Sequence, residues 1–174
     1  MNQLYIHAYP KDQIINDKIF HQQTQKLSWV TPENLNIKKI YINQLANAVS
    51  WIKKIDIVKS IKDKLLCVQS AINTMNNTIK FSLGIQKDPE KDELIPIFHY
   101  IIIKAQPKRM YSNINYIECF LEESELNSVP GALLEQMKSA ANFILNIKYN
   151  QLNVSEEEFN NNINNSFYGK LHNK

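Results

Sequence analysis

Residues 91–105, KDELIPIFHYIIIKA, contain the most apolar run of the sequence and decide how the chain folds. The run IFHYIII is too short to span a membrane, but it suits a helix that is buried on most sides. Two carboxylates and a proline precede it. Because proline lacks the amide hydrogen that an interior helical residue donates, Pro96 predicts that this helix begins at about residues 92–95. Asp92 then lies at or just before the N-terminus.

The rest of the sequence also has a helical period. Pro107 ends the central helix, since the residue before a proline is pushed out of the helical region. Apolar residues recur at helical spacing in four further stretches: 11–28 (Ile15, Ile19, Leu27), 40–58 (Ile42, Leu45, Val49, Ile52), 57–81 (Ile61, Leu65, Val68, Ile72, Ile79) and 131–147 (Leu134, Met137, Ala141, Ile144). The third stretch is expected to end near Gly84.

Cap residues predict where several helices begin. Thr31, followed by Pro32, is a candidate cap, as is Ser112 for a helix over 112–120. Ser155 with Glu158 predicts a short terminal helix. With only 3 glycines in 174 residues, a turn-rich β fold is disfavoured. We therefore predict an all-α fold, a single layered helical domain of about seven or eight helices over residues 1–174.

Composition and charge exclude several classes of function. The net charge is +3, and the 20 basic residues are spread among 17 acidic ones, so no nucleic-acid partner is expected. Cys67 and Cys119 lack the spacing of a zinc site and are predicted to be buried thiols. The start of the chain does not resemble a signal or transit peptide. We expect a cytoplasmic protein with no direct membrane insertion.

The sequence shows few features that are typical of an ordinary enzyme. It has no Gly-rich phosphate loop and no nucleophile motif, so neither a cofactor nor a small-molecule substrate of its own is expected. The four histidines are scattered. His99 lies within the apolar run, where a packing role is favoured over catalysis. A helical module that binds another protein remains the alternative to an enzyme.

Asp92 allows two interpretations. As an N-cap, it would stabilise the central helix by about 0.5–2 kcal/mol, with Glu93 as a favourable first-turn acid. Alternatively, Asp92 projects from a rigid helix end and meets a cation on a partner. Spacing alone does not decide between these roles.

The stretch DELIPIFHYIIIKAQPKRMYSNINYIECF, residues 92–120, resembles the signature of the Vps-nine (vacuolar protein sorting nine) domain. That signature combines an acidic pair, a proline, an apolar helix ending in Lys-Ala-x-Pro, and Ser-Asn-Ile before an aromatic-Ile pair. QKLSWVTPENL, IKDKLLCVQSAINTMNNTI and KSAANFI resemble further segments of rabex-type members. The resemblance covers about residues 12–147, which leaves 148–174 as a C-terminal helix and tail.

The resemblance implies a guanine nucleotide exchange factor for a Rab-five-like endosomal small GTPase, without covalent catalysis. It places Asp92 as a finger that pairs with the P-loop lysine of the GTPase. It also implies that Pro96 packs against the switch regions, and that Asn113 and Tyr116 support or line that surface. Such domains usually belong to larger chains, so the domain is expected to be peripheral to endosomes.

The sequence departs from the family at SVPGALLEQM, residues 128–137. Gly131 matches a family glycine, but Ala132 and Glu135 stand where most members have a tyrosine and a threonine that contact the GTPase. Three explanations stay open. The domain acts on a divergent GTPase, it exchanges weakly, or it is a catalytically degenerate module that binds without exchange. We favour the first, because Asp92 and the rest of the signature are intact.

Overall fold

The computed structural model describes residues 11–39, 41, 45–86 and 88–168. Within these residues there are seven α-helices, three short 3-10 turns and no strand, so the all-α prediction is confirmed. The helices are α1 Lys11–Lys26, α2 Leu45–Lys54, α3 Ile61–Leu83, α4 Lys91–Ala105, α5 Met110–Phe120, α6 Val129–Asn146 and α7 Glu156–Tyr168. The 3-10 turns are Glu33–Leu35, Glu123–Glu125 and Tyr149–Gln151.

Helix α4 lies at the centre of the packing. It contacts α1, α2, α3 and α6, and its residues Ile101, Ile102 and Ile103 are completely buried. The apolar side chains of the other helices join the same core. Because α4 is held on several sides, its N-terminal turn is a rigid support for any side chain that projects from it.

Several helix ends follow the sequence signals. The Ser60 side chain accepts a hydrogen bond from the Asp63 amide at 3.0 Å at the start of α3, and α3 ends at Gly84 with φ 64°. The Glu158 amide donates to Ser155 Oγ at 3.1 Å, which confirms Ser155 as the cap of α7. Thr31 is different, because only the short turn Glu33–Leu35 follows it.

Ser112 is not a helix cap. Helix α5 begins two residues earlier, at Met110, and Ser112 is buried inside it. Its amide and hydroxyl donate to the Asp17 carboxylate at 3.0 and 2.5 Å. Burial raises the pKa of Asp17, although the Ser112 hydrogen bonds oppose that rise. The polar residue that suggested a cap instead joins α5 to α1.

The buried faces differ in places from the predicted stripes. On α1, Ile15 and Ile19 are exposed while Phe20 is completely buried. Leu27, which directly follows the helix, is also completely buried. Ile42 lies outside the described residues. Cys67 is buried as predicted, but Cys119 is exposed, so the prediction for that thiol was wrong. No helix in the described part of the chain is both long and apolar enough to cross a membrane.

Candidate functional site

The first turn of α4 begins earlier than the proline predicted. Glu90 occupies the N-cap position with an extended backbone, and the helix starts at Lys91. Asp92 is therefore the second helical residue and not the cap, and Pro96 is the sixth. Because a proline nitrogen carries no hydrogen, Pro96 cannot donate the usual helical bond to the Asp92 carbonyl four residues earlier. The backbone at Asp92 thus lacks one of the bonds of a regular helix.

The two neighbouring carboxylates of this turn have different surroundings. Glu93 Oε1 accepts hydrogen bonds from Tyr41 Oη at 2.7 Å and from Lys38 Nζ at 3.1 Å. The Tyr41 hydrogen bond, together with Lys38, lowers the pKa of Glu93. Asp92 is exposed and makes no hydrogen bond or ion pair with any residue that the structure describes. Glu93 is anchored to the fold, whereas Asp92 is available to a cation from outside.

Asp92 and Pro96 line the same concave surface, which we call the Asp92 face. It encloses about 470 Å³ between the first turn of α4 and the segment around Leu35–Lys38, and Tyr41 and Glu93 also line it. Pro96 is half-buried and Asp92 is exposed. Two of the predicted site residues are thus brought together.

Ala132 and Glu135 lie on the other side of the same turn, in a surface that we call the α4–α6 groove. The groove encloses about 380 Å³. Its walls are largely apolar, and some charged and polar side chains also line it. Besides Ala132 and Glu135, the lining residues are Ile72, Met75, Lys91, Leu94, Ile95, Phe98, His99, Gln136 and Ser139. Because Lys91, Leu94 and Ile95 flank Asp92 along the chain, the groove adjoins the Asp92 face.

Gly131 fixes the N-terminal end of α6 beside this groove. An added Cβ at Gly131 would lie 2.0 Å from the carbonyl oxygen of Leu126, which no real contact tolerates. Only glycine therefore allows the preceding loop to close onto the helix. This close approach is the physical reason for the glycine that the sequence shares with its family pattern.

The Glu135 carboxylate is exposed and paired within the fold. Lys138 Nζ lies 3.0 Å from Glu135 and 2.7 Å from Glu118 on α5. These hydrogen bonds, with Glu118 as the stronger cause, raise the pKa of Lys138. The trio carries one net negative charge at the rim of the groove.

His99 forms part of the groove lining and is buried. Its ring stacks on Phe143 with centroids 4.0 Å apart, which confirms the predicted packing role. Burial lowers the pKa of His99 to about 4. The imidazole is consequently neutral at about pH 7, and this part of the groove carries no charge.

Asn113 is buried and belongs to a polar network, so it does not form part of an exposed surface. Its Oδ1 accepts from Lys64 Nζ at 2.8 Å, and its Nδ2 donates to Asp56 Oδ1 at 2.9 Å. Lys64 Nζ also donates to the carbonyls of Ile55 and Val58, both at 2.8 Å. Asn113 therefore supports the loop between α2 and α3 from within.

Tyr116 lies one turn further along α5 and is half-buried. Its ring is 5.1 Å from that of Phe120, and Lys64 Nζ is 6.0 Å from its centroid. Neither Tyr116 nor Asn113 lines the Asp92 face or the α4–α6 groove. The predicted residues thus divide into a cluster around the start of α4 and a pair on α5.

The sequence did not single out three participants in this site. Tyr41 and Lys38, which anchor Glu93, lie more than 50 residues from it in the chain, and no local spacing reveals them. Ile95 is exposed at the mouth of the groove, although an apolar residue in a helical run is usually assigned to a core. Within the described residues, no group of acidic, histidine or cysteine side chains could hold a metal ion.

Comparison with known proteins identifies the family. The model of the Vacuolar sorting protein 9 (VPS9) domain matches residues 45–149. Vacuolar protein sorting-associated protein 9A of Arabidopsis thaliana is 30% identical over 154 residues, which are 86% of this chain and 30% of the relative. The human Rab5 GDP/GTP exchange factor is 28% identical over 169 residues, which are 91% of this chain and 34% of the relative.

The chain belongs to the VPS9 domain family, as the resemblance of its sequence motifs predicted. It spans about a third of the length of the curated relatives that it matches. The matched segment includes α2 to α6 and therefore the first turn of α4 and the lining of the α4–α6 groove. Leu35–Lys38 and Tyr41, which also line the Asp92 face, precede that segment.

Proposed function

We propose that this domain is a guanine nucleotide exchange factor that promotes GDP release from a Rab-five-like endosomal small GTPase. Family membership and a relative named as a Rab5 GDP/GTP exchange factor support a Rab partner. The single observation that carries the proposal is the contrast between the two carboxylates. Glu93 is bound to Tyr41 and Lys38, while Asp92 is exposed without a partner in the described structure.

In this proposal Asp92 acts directly on the nucleotide site. A small GTPase holds the nucleotide phosphates with its P-loop lysine and Mg²⁺, which neutralise their charge. A carboxylate that pairs with that lysine and approaches the metal raises the free energy of the bound nucleotide. Exchange factor and nucleotide then weaken each other's binding by the same factor, so GDP leaves without any covalent step.

The remaining site residues have supporting roles. Pro96 is half-buried beside Asp92 on the same face, which suits a contact with the switch regions of the GTPase. The α4–α6 groove is placed to receive apolar side chains of the same partner, since Leu94 and Ile95 line it next to Asp92. Asn113, being buried, acts by holding the α2–α3 loop and not by touching the partner.

The test is release of fluorescent GDP from a panel of Rab-five-like GTPases in the presence of excess GTP. We expect the wild-type domain to accelerate release from at least one member. Asp92→Ala should lower that acceleration by about a hundredfold or more, because losing one partner of a desolvated charge pair costs several kcal/mol. If Asp92→Ala accelerates release as well as the wild type does, the finger mechanism is wrong.

Asp12→Ala provides a matched control. Asp12 is also an exposed aspartate at the second position of a helix, α1. Its removal changes net charge and helix-dipole energy by the same amounts, so it separates the loss of a specific contact from a general electrostatic effect. We expect this variant to accelerate GDP release like the wild type.

The second candidate function is binding of the GTPase without exchange. Ala132 and Glu135 favour it, because an alanine removes a large anchor and a glutamate adds charge where the family has tyrosine and threonine. Wild-type binding to a GTPase whose GDP release does not accelerate would select this alternative. Because the relatives are about three times longer, we expect localisation to endosomes to depend on the longer protein.

A further inference from the structure

The loop that joins α2 to α3 lies at a corner where basic side chains gather. Helix α2 ends at Lys54 and α3 begins at Ile61, and these two helices pack closely together. Lys108 and Arg109 join this corner from a distant part of the chain. The Lys108 amide donates to Asp56 Oδ2 at 2.7 Å, and the Arg109 guanidinium donates to the Asp56 carbonyl. We call residues 53–64 together with Lys108 and Arg109 the basic patch.

The basic patch is far more positive than the chain as a whole. It contains seven basic and two acidic residues, a net charge of +5, whereas the whole chain carries +3 and the remainder therefore −2. The six basic side chains other than Lys64 are exposed. Five of the seven basic residues are already clustered in the sequence at 53–64, and the fold adds Lys108 and Arg109 to them.

Two of these lysines are not explained by helix stability. Lys53 and Lys54 lie at the C-terminal end of α2, where positive charge is favourable. Lys59 and Lys62 instead flank the N-cap Ser60 of α3, at the end of a helix where the dipole disfavours cations. The helix dipole therefore does not account for these two positive charges.

Exposed aliphatic side chains accompany this charge. Ile57 at the tip of the loop is 76% exposed, and Leu66 on α3 is 56% exposed. Leu66 follows Lys62 by four residues and so shares its helix face. The loop backbone is fixed from beneath, because Lys64 Nζ binds the carbonyls of Ile55 and Val58. Ile57 is therefore presented to solvent by a well-supported turn.

We propose that the basic patch docks the domain onto an anionic membrane surface. Acidic lipid headgroups attract clustered lysine and arginine side chains, and an aliphatic tip can enter the boundary between headgroups and acyl chains. Surfaces that bind single-stranded nucleic acid instead pair basic groups with exposed aromatic rings that stack on bases. Lys54 Nζ lies 4.1 Å from the ring centroid of the part-buried Trp51. The exposed large apolar side chains within residues 53–66, Ile57 and Leu66, are aliphatic, which favours the membrane.

This surface is separate from the Asp92 face. Lys108 and Arg109 follow the C-terminal end of α4, while Asp92 lies at its N-terminal end. A helix of 15 residues is roughly 22 Å long. A membrane bound at the basic patch would leave the Asp92 face open, so the proposal does not depend on exchange activity.

The test is sedimentation of the protein with vesicles of phosphatidylcholine alone or with about 30% phosphatidylserine. We expect binding to the anionic vesicles only, with weaker binding as salt rises from about 0.1 M to about 0.5 M. Lys59→Ala with Lys62→Ala should lower the partition coefficient about twentyfold, since each surface lysine contributes about fivefold. The control, Lys18→Ala with Lys148→Ala, removes the same charge from exposed positions outside the patch and should change binding less than about twofold.

The outcomes are distinct. Equal losses in the two double variants, or no binding of the wild type to anionic vesicles, would overturn the proposal. Tighter binding to a short DNA duplex than to vesicles, lost with Lys59 and Lys62, would assign the patch to nucleic acid instead.

Ile57→Ser should weaken vesicle binding without changing its salt dependence, and unchanged binding would remove Ile57 from the docking surface. Both double variants should accelerate GDP release from a soluble GTPase like the wild type.

Discussion

The Asp92 face and the α4–α6 groove lie on two sides of one helical turn, yet they differ in how much of the family pattern they keep. The Asp92 face retains the acidic pair and Pro96. The groove is lined by Ala132 and Glu135, where the resemblance to the family implies a tyrosine and a threonine. On the proposed function, the groups that act on the nucleotide are therefore retained, while the contacts that select the partner have changed.

Gly131→Ala should distort the α4–α6 groove while leaving the Asp92 face unchanged. The added methyl group would lie 2.0 Å from the Leu126 carbonyl oxygen, so the loop or the start of α6 must shift. We expect a loss of about 3 kcal/mol in the free energy of unfolding, measured with urea. Gly84→Ala is the control, because it meets no neighbour and only its positive φ is strained; it should cost about 1 kcal/mol. Equal losses would show that the close approach at Gly131 is unimportant.

The free energy of unfolding should depend on pH because of His99, a buried residue of the groove lining. Its folded pKa of about 4 lies below the ordinary value of about 6.5, so the unfolded chain binds more protons between these values. The contribution of neutral His99 to the free energy of unfolding is fully present above about pH 6.5. It declines by about 2–3 kcal/mol as the pH falls towards 4. His99→Phe should remove this part of the pH dependence in urea unfolding. An identical pH profile in the variant would exclude His99 as the cause.

Ala132→Tyr should make the groove more like that of its relatives. A tyrosine at this exposed position restores a large amphipathic anchor, which is worth about 2 kcal/mol at the centre of an interface. We expect about thirtyfold tighter binding to a Rab-five-like GTPase, measured by titration of the nucleotide-free form. Glu135→Gln serves as a comparison that alters only charge. Weaker binding of Ala132→Tyr would indicate that the natural partner fills this space with its own side chain.

Substitutions of the two carboxylates of the first turn should affect the free energy of unfolding and the rate of GDP release in opposite order. Glu93→Gln loses a charged acceptor for Tyr41 and Lys38 and should cost about 1 kcal/mol in unfolding free energy. Asp92→Asn should change stability by less than about 0.5 kcal/mol, because Asp92 has no partner within the described structure. GDP release should show the reverse order, with the larger loss in Asp92→Asn. A similar loss of exchange in both variants would mean that the pair acts as one unit.

Sequence periodicity was sufficient for the fold class and for the position of α4, since both follow from local chemistry. Its limits appear where a contact joins distant segments. Ser112 was predicted to be a helix cap. That prediction was wrong because its hydrogen-bond partner Asp17 is 95 residues away in the sequence. Asn113 was expected to support or line the binding surface, and its position inside the fold, held by Lys64 and Asp56, could not be predicted. Polar side chains carry no local mark of a buried partner, so only the tertiary structure distinguishes these roles.

The basic patch shows the same limit for charge. Five lysines of the patch are close together in the sequence at 53–64, but Lys108 and Arg109 lie more than 40 positions further along the chain. Asp56 brings these segments together by binding the Lys108 amide and Arg109. The lysine cluster at 53–64 is therefore visible in the sequence, whereas the addition of Lys108 and Arg109 to it depends on the tertiary structure.

The central claim is that Asp92 pairs with the P-loop lysine of the partner, and a double-mutant cycle tests it most directly. The affinity for the nucleotide-free GTPase would be measured for the wild type, Asp92→Ala, the GTPase with its P-loop lysine changed to alanine, and both variants together. We predict a coupling energy of about 2 kcal/mol or more, because either single change already removes the contact. Additive effects, within about 0.5 kcal/mol, would contradict the account.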